Sequence, residues 1–265
     1  MDTLASSVTL GPDDMRMPPG VDLMVLPCPK RVRVRCAGEL LADSVQALLV
    51  RERGHRPVYY FSRSDVHMER LQRTTHHTHC PRKGDATYFS VGTGENALEN
   101  ATWSYETPLP GAEAIRDHLA FYWERMDGWY EEDEEIFVHP RDPFVRVDIL
   151  ESSRRVRVML SGEVLADSRR ARFLFETGHP LRYYLPREDV RMNLLAPSEQ
   201  RTRCPYKGEA HYWHADVGGR RHENVVWSYP APVHEAARVQ GYLCFYPERV
   251  DTIEVEARGA ATDHS

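Results

Sequence analysis

Short stretches of the chain alternate between apolar and polar side chains with a period of two, the pattern of a half-buried β-strand. The clearest stretch is Arg155–Leu160, where two valines and a leucine fall on every second position. The pair Ser161-Gly162 then predicts a turn into a second strand at Glu163–Ala166. Further strands are predicted at Arg182–Leu185, Val190–Leu194, Ala210–Val217 and Asn224–Tyr229, with a hairpin turn at Gly218-Gly219.

Two short helices are predicted to interrupt the strands. Ser168 can cap a helix N-terminus, and this helix is predicted to end at Glu176, shortly before a glycine. Ser44 and Gly54 hold the same places in the first half of the chain. A last helix is predicted at Ala112–Trp123, where apolar side chains recur on one helical face. The predicted fold class is therefore mainly β with short helices (α+β).

The whole pattern occurs twice. Val156 lies 124 positions after Val32, and a shift of this size aligns the two halves of the chain without a gap. A period this long corresponds to one whole domain and not to the unit of a solenoid. Residues kept in both copies are therefore candidates for the fold or for a site. The shared blocks include Leu41–Ser44 and Leu165–Ser168, Cys80–Gly84 and Cys204–Gly208, and Trp103–Tyr105 and Trp227–Tyr229.

The repeats define the predicted domains. We place the first repeat domain at residues 21–130 and the second at residues 144–257. Residues 1–20 show no periodicity and are predicted to be a disordered leader, and residues 258–265 a frayed tail. Residues 131–143 begin with five consecutive acids and are interpreted as a solvated acidic linker, with a docking site for a basic partner as the alternative.

Composition narrows the classes of function. The 265 residues suffice for two domains with separate cores. No apolar run approaches the roughly 20 residues that span a bilayer, and Met1–Gly20 lacks the features of a signal peptide, so no membrane association is expected. Five unevenly spaced cysteines favour a reducing compartment, and the expected location is cytoplasmic. A net charge of −6 argues against non-specific binding of nucleic acid. The sequence does not predict an oligomeric state.

The strongest candidate for chemistry is the motif Cys-Pro-x-Lys-Gly, which occurs once in each copy. Cys80 and Lys83 form it in the first copy, and Cys204 and Lys207 in the second. An ammonium close to a thiol favours the thiolate, which is the nucleophilic form. These four residues are therefore the candidate catalytic residues. The alternative is that each cysteine is a small buried apolar residue and each lysine a solvated turn residue.

Tyrosines and tryptophans recur at equivalent positions of both copies. Their rings offer an apolar body with a polar tip, which suits a ligand pocket as well as the edge of a core. A cavity lined by such rings, with Lys and Arg at its mouth, would bind a small planar or anionic ligand. The candidate ligand-binding residues are Tyr59, Tyr60, Arg63, Tyr88, Trp103 and Tyr105, with Tyr183, Tyr184, Arg187, Tyr212, Trp227 and Tyr229 in the second copy; the aromatic set also contains Tyr122 and Tyr246.

Several motifs recur in the same order in both copies: Gly-Glu-x-Leu-Ala-Asp-Ser, Tyr-Tyr-x-x-Arg-x-Asp-Val, Thr-x-Cys-Pro-x-Lys-Gly, Glu-Asn-x-x-Trp-Ser-Tyr and Phe-Tyr-x-Glu-Arg. In these motifs each copy resembles the family called domain of unknown function 427. The resemblance implies two tandem copies of a small β-tent-like domain. The family also carries a nucleotidyltransferase-like label. The sequence gives that label no support, because it has no Gly-Ser strand-to-helix turn followed by paired acids that could hold magnesium.

The β-tent proteins that this family resembles often hold zinc between two Cys-x-x-Cys knuckles. This chain contains no Cys-x-x-Cys. His76-His77-x-His79-Cys80 has the residue types of a metal site, but its equivalent is Gln200-Arg201-x-Arg203-Cys204, which lacks the imidazoles. We therefore expect no metal and no cofactor.

The leading hypothesis is a duplicated small-molecule-binding β domain whose aromatic pocket lies beside the Cys-Pro-x-Lys-Gly turn. Two alternatives stay open. One is an enzyme that uses an activated Cys/Lys pair in that pocket. The other is a non-catalytic module that recognises a modified side chain or a peptide of a partner protein. The identity of the small-molecule ligand does not follow from the residues.

Overall fold

The computed structural model of the chain describes residues 17–94 and 97–257. It separates into two compact units, with the boundary between Asp142 and Pro143. Strands make up most of the regular structure of both units, and the helical segments are short 3₁₀ turns. The prediction of a mainly β fold in two tandem domains is therefore confirmed. In the described part of the chain, no helix combines the length and the apolar content that crossing a bilayer requires.

The first unit contains eleven described strands, which form two antiparallel sheets. The large sheet has seven strands in the order β1-β4-β5-β9-β8-β7-β6, and the small sheet has four in the order β11-β10-β2-β3. The strands are β1 (Leu23–Pro27), β2 (Val32–Cys36), β3 (Glu39–Ser44), β4 (Leu48–Glu52), β5 (Val58–Ser62), β6 (Leu71–Cys80), β7 (Gly84–Val91), β8 (Leu98–Ser104), β9 (His118–Phe121), β10 (Gly128–Glu131) and β11 (Glu134–Ile136).

The second unit repeats this topology. Its seven-stranded sheet has the order β12-β15-β16-β20-β19-β18-β17, and its three-stranded sheet has the order β14-β13-β21. The strands are β12 (Val147–Glu151), β13 (Val156–Leu160), β14 (Glu163–Ser168), β15 (Arg172–Glu176), β16 (Arg182–Pro186), β17 (Leu195–Cys204), β18 (Gly208–Val217), β19 (Arg220–Ser228), β20 (Tyr242–Phe245) and β21 (Thr252–Val255).

The two faces of the large sheet in the first unit serve different clusters. Successive side chains of β5 point to opposite faces, as in any strand. Tyr59 and Phe61 pack in the core cluster that also contains Val34 of the small sheet. Tyr60 packs on the opposite face, in a cluster with Tyr105. The second unit makes the same division at the equivalent positions of β16. The candidate site lies where the two clusters meet, since Tyr60 of one cluster and Tyr59 of the other line the same cavity.

Both hairpin turns predicted in the second copy are confirmed. Ser161 and Gly162 join β13 to β14 with φ of 50° and 78°. Gly218 and Gly219 join β18 to β19 with φ of 61° and 74°. Positive φ at both central residues is what a two-residue turn of type I′ requires, and its twist matches that of the flanking strands.

The helix predicted from Ser168 to Glu176 is wrong, because strand β15 occupies most of this segment and pairs with β12 and β16. Ser168 closes a local turn: its Oγ accepts the N–H of Arg170 at 3.0 Å and donates to Asp189 at 2.7 Å. A serine that bonds the backbone two residues further on favours a turn as readily as a helix cap. Ser44 makes the equivalent contacts before β4.

The helix predicted at Ala112–Trp123 is also wrong. This segment contains the 3₁₀ turn Glu113–Ile115, strand β9 and the start of a second 3₁₀ turn. Ile115 packs with the Tyr60 cluster and Leu119 with the core on the other face, so the apolar residues serve two clusters and not one helical face. Val190–Leu194, predicted as a strand, ends in a 3₁₀ turn, and only the single bridge of Val190 to Ala166 is strand-like.

The predicted acidic linker at residues 131–143 belongs largely to the first unit. Glu131 ends β10, is buried and accepts the hydroxyl of Tyr59 at 2.7 Å. Strand β11 pairs back onto β10. Asp142 is buried and accepts Arg51 Nε at 2.9 Å, in an ion pair with both partners almost fully covered. The segment is therefore ordered by buried polar contacts, and the first unit extends to Asp142.

Of the predicted leader, residues 1–16 lie outside the described residues. The predicted tail at residues 258–265 also lies outside them. Met17 is buried. The carbonyl oxygen of Pro18 accepts Arg53 Nη2 at 2.8 Å. These residues therefore pack on the first unit and are not part of a disordered leader.

We expect the fragments 17–142 and 143–257 each to unfold in one cooperative transition, because each unit has its own core clusters. A fragment 17–130 should be less stable than 17–142 by at least about 3–5 kcal/mol, the loss expected for Arg51 without Asp142, since the truncation also removes Glu131 and strand β11. Calorimetry of the three fragments measures both effects. Equal stability of the two N-terminal fragments, or the absence of a cooperative transition in both halves, would contradict the boundary.

Candidate functional site

The Cys-Pro-x-Lys-Gly motif forms a tight turn at the tip of the β6–β7 hairpin and, in the second unit, of the β17–β18 hairpin. The N–H of Lys83 donates to the carbonyl of Cys80 at 3.2 Å, and that of Lys207 to Cys204 at 3.3 Å. Proline at the second position of such a turn fixes its backbone. Gly84 follows with φ of +98°, and a Cβ there would lie 3.3 Å from a backbone carbonyl oxygen. The proline and glycine therefore shape the turn, and the cysteine and lysine side chains are left for the site.

Lys83 extends from this turn to Glu52, the last residue of β4, and forms an ion pair with it. The exposed fractions of the two side chains are 11% and 10%, so both charges are largely removed from water. Arg82 Nη1 donates to Glu52 Oε1 at 3.0 Å, and Cys80 Sγ lies 3.7 Å from the same oxygen. The Lys83 ammonium is therefore paired with a carboxylate, and the Cys80 thiol is a neighbour of that carboxylate.

The charge state of Glu52 follows from two opposing effects. Burial favours the protonated form, but the hydrogen bonds from Lys83 and Arg82 outweigh it and hold the pKa of the carboxyl below its ordinary value of 4.5. Glu52 is therefore ionised at neutral pH. Because its folded pKa is lowered, the carboxylate stabilises the fold above pH 4.5 and loses this contribution as the pH falls through the lowered pKa.

The second unit keeps the ion pair with a different surrounding. Lys207 Nζ donates to Glu176 Oε2 at 2.5 Å, and the exposed fractions are 11% and 8%. Tyr206 stands at the position of Arg82. In the described residues, the other basic partner of Glu176 is His179, whose Nε2 lies 3.9 Å from the carboxylate. The lysine–glutamate pair is therefore common to both copies, whereas the arginine that also bonds the glutamate, Arg82, is specific to the first.

Trp103 contacts two tyrosines on the same face of the sheet. Its Nε1–H donates to the hydroxyl of Tyr60 at 3.1 Å, with the rings edge to face. The ring of Tyr122 lies 4.7 Å from that of Trp103 at an angle of 47°. Trp227 makes both contacts in the second unit, with an indole-to-hydroxyl distance of 3.2 Å and ring centroids 4.3 Å apart. The arrangement is thus a property of the fold, formed twice.

The tyrosine hydroxyls near Trp103 stay neutral. Burial raises the pKa of Tyr60 and of Tyr105 well above its ordinary value. Burial, together with a hydrogen bond to Tyr88, raises the pKa of Tyr122 to about 12. At physiological pH these groups therefore act as neutral hydrogen-bonding groups and not as bases.

These side chains line a cavity of about 710 Å³ in the first unit. Its wall combines aromatic rings with the charged cluster around Glu52. Six residues of the predicted site lie in this wall: Tyr59, Tyr60, Cys80, Lys83, Trp103 and Tyr105. The wall also contains residues outside the predicted site, among them Glu52, Val58, Tyr122, Trp123, Glu124, Trp129 and His139.

Two residues predicted for this site do not line the cavity. Arg63 Nη2 donates to Glu106 at 3.1 Å, and neither residue is in the wall. The hydroxyl of Tyr88 bonds that of Thr78 at 2.9 Å and reaches Tyr122 at 3.5 Å. Tyr88 therefore contacts the cavity wall through the hydroxyl of Tyr122.

The predicted residues of the second unit also divide between two clusters. Tyr183 packs in the core on the other face of the sheet, 4.8 Å from the ring of Phe173. Arg187 is exposed. The residues that gather in one apolar cluster beside the turn are Tyr184, Cys204, Tyr212, Trp227 and Tyr229, with Tyr246 packed against them.

Among the site residues that the sequence-based prediction lacks, Glu52 and Glu176 are the ones that pair with the motif lysines. The signal for them is their identity at equivalent positions of the two copies. Assigning Glu176 to the end of a helix hides this signal, because the pairing with Lys207 depends on strand β15 lying beside the turn.

In the described residues, no three His, Cys, Asp or Glu side chains come together in a way that could hold a metal ion. The histidines before Cys80 are separated by the strand geometry of β6. His76 packs its ring 4.5 Å from that of Tyr88, and His79 Nδ1 lies 2.6 Å from Asp85. These two side chains are thus engaged with different partners.

The family model described as domain of unknown function (DUF427) matches residues 24–132 and again residues 148–256. The two matches fall on the two units and confirm the resemblance read from the motifs in both copies. No curated protein matches the sequence.

The two ion pairs should differ in what they contribute to stability. Lys207→Met leaves the buried Glu176 beside His179, and the free energy of unfolding should fall by about 3–5 kcal/mol. Lys83→Met should cost less, since Arg82 still bonds Glu52. Calorimetry of the full chain measures both losses. A loss below about 1 kcal/mol for Lys207→Met, the size expected of an exposed pair, would show that the pair is not buried as described.

Proposed function

The chain belongs to the family described as domain of unknown function (DUF427), and we propose that its first copy binds a small molecule in the aromatic cavity beside the Cys-Pro-x-Lys-Gly turn. The observation that carries this proposal is the cavity of about 710 Å³. Ligand pockets have volumes of about 300–1,000 Å³ and combine apolar walls with a few polar groups. The wall of Trp103, Tyr105 and Tyr122 beside the charged cluster of Glu52 has this composition.

The ring arrangement supports binding through stacking. Trp103 and Tyr122 both line the cavity, and Tyr122 is 39% exposed although its partners are buried or half-buried. An aromatic ring that is only partly covered offers a face to a ligand. Such contacts contribute about 0.5–1.5 kcal/mol beyond the burial of area.

The charges support binding more than covalent catalysis. A nucleophilic Cys80 would need the Lys83 ammonium beside its thiolate, but this ammonium donates to Glu52. The Cys80 thiol itself donates to Glu52 Oε1 at 3.7 Å, so both groups of the motif have the carboxylate as their partner and not each other. The catalytic roles of Cys80, Lys83, Cys204 and Lys207 are therefore the less supported alternative.

A cytoplasmic location forms part of the proposal. All five cysteines are free thiols, three of them buried and two half-buried. A chain with several cysteines that do not pair with each other fits a reducing compartment.

The test is a thermal-shift screen of the full chain against cationic, anionic and neutral small compounds with planar groups. Binding to the folded state should raise the unfolding temperature. For a compound that binds, Tyr122→Leu should weaken the affinity about tenfold, because one stacking surface is lost. The half-exposed Tyr122 can be replaced at little cost in stability.

The matched control is Tyr246→Leu, the same change at the equivalent position of the second unit. It should leave the affinity unchanged. If no compound stabilises the chain, or if Tyr122→Leu and Tyr246→Leu weaken binding equally, the cavity of the first unit is not the binding site.

A further inference from the structure

One cationic side chain of the second unit lies against the aromatic pair. Arg182 is the first residue of β16, and its guanidinium lies 5.7 Å from the ring centre of Trp227 and 6.0 Å from that of Tyr246. Its Nη2 lies 3.6 Å from Glu248. The guanidinium is therefore held by two aromatic faces and one carboxylate, the combination that recognises an organic cation.

The hydrogen bonding of Arg182 agrees with this picture. Its Nη1 is buried and has no hydrogen-bond partner in the described residues. A buried N–H without an acceptor is unfavourable unless other interactions compensate. Here the attraction of the cation to the faces of Trp227 and Tyr246 supplies that compensation.

The first unit keeps the three recognising groups and lacks the arginine. Trp103, Tyr122 and Glu124 stand at the equivalent positions, but Val58 replaces the arginine. The two rings have nearly the same relation in both units, 4.7 Å at 47° and 4.3 Å at 43°. The valine and the three recognising groups all line the cavity. The cavity therefore lies beside the space that a guanidinium fills in the second unit.

Resting on the proposed function of this cavity, we propose that its ligand carries an organic cation, of the guanidinium or alkylammonium class, which binds on Trp103 and Tyr122 beside Glu124. In the second unit, Arg182 supplies this cation from the chain itself. The first unit takes the same group from outside.

Nearby positive charges do not exclude this ligand. Arg249 lies 4.6 Å from the ring centre of Tyr246, yet the same ring also faces the Arg182 guanidinium. Arg125 is the equivalent of Arg249 in the first unit. In the cavity wall, the charge of Lys83 is already paired with Glu52. Arg82 is paired with the same carboxylate at 3.0 Å. Arg56 also lines the cavity, so the first unit has two arginines where the second has Pro180 and Tyr206. The cation is therefore placed on the rings of Trp103 and Tyr122, beside the carboxylate of Glu124.

The test uses the full chain and n-propylguanidinium, which is the arginine side chain without its backbone. Two probes of similar size serve as controls: n-propylurea is neutral and butyrate is an anion. The five tryptophan indole N–H signals are followed by ¹H–¹⁵N NMR, and each is assigned by substitution. We expect the Trp103 signal to respond to n-propylguanidinium about tenfold more tightly than to n-propylurea, with no response of the Trp227 signal.

Val58 and Arg182 stand at equivalent positions, so exchanging them gives matched variants. Each variant places in one copy the residue that the other copy carries at that position. Val58→Arg should abolish the response of Trp103, because an internal guanidinium fills the space. Arg182→Val should open the second unit, so that the Trp227 signal now responds. Comparing free L-arginine with a blocked Gly-Arg-Gly peptide then shows whether the cation enters as a small molecule or as a side chain of another protein.

An equal response of Trp103 to the three probes, or an unchanged response in Val58→Arg, would overturn the inference. A response to butyrate or n-propylurea that exceeds the response to n-propylguanidinium also overturns it, but leaves the cavity as a binding site. Absence of any response of Trp103 overturns the cation inference, and the proposed function then depends on the thermal-shift screen alone.

Discussion

The buried pair of a lysine and a glutamate is the constraint on which the rest of the site depends. Lys83 leaves a turn that proline and glycine hold in one shape, and its charge is buried only because Glu52 accepts it. The pair ties the tip of the β6–β7 hairpin to the end of β4. This places Cys80 and the aromatic residues around one cavity. The second unit forms the same link with Lys207 and Glu176.

The two copies share this framework and differ in what surrounds it. In the first unit, Trp123 and Trp129 stack at 4.4 Å with nearly parallel rings and line the cavity. The second unit has a proline and an isoleucine at these positions. It also carries Arg182 where the first has Val58. The duplicated fold is therefore constant, and the residues around the aromatic pair differ. Under the proposed function, these substitutions leave one site filled by Arg182 and one site open to a ligand.

The sequence predicts those parts of the fold that have a local cause. Period-two strands and the type I′ turn at Gly218-Gly219 follow from neighbouring residues, and the duplication from identity. Strands β6 and β17 were not predicted, because they lie at sheet edges with mostly exposed polar side chains and carry no apolar alternation. Six of the eight site residues predicted in the first copy line the cavity, but Glu52 is distant in sequence from Lys83, and only the strand pairing brings them together.

The most direct test of this account is the titration of the Glu52 carboxyl by NMR in the full chain, with the side-chain carbonyl carbon as the reporter. An ion pair with Lys83 and Arg82 that outweighs burial requires a midpoint below 4.5, the ordinary value of a glutamate. In Lys83→Met the midpoint should rise, because the main compensating charge is gone while the burial remains. A midpoint at or above 4.5 in the unmodified chain, or one that Lys83→Met leaves in place, would contradict the claim that this pair organises the site.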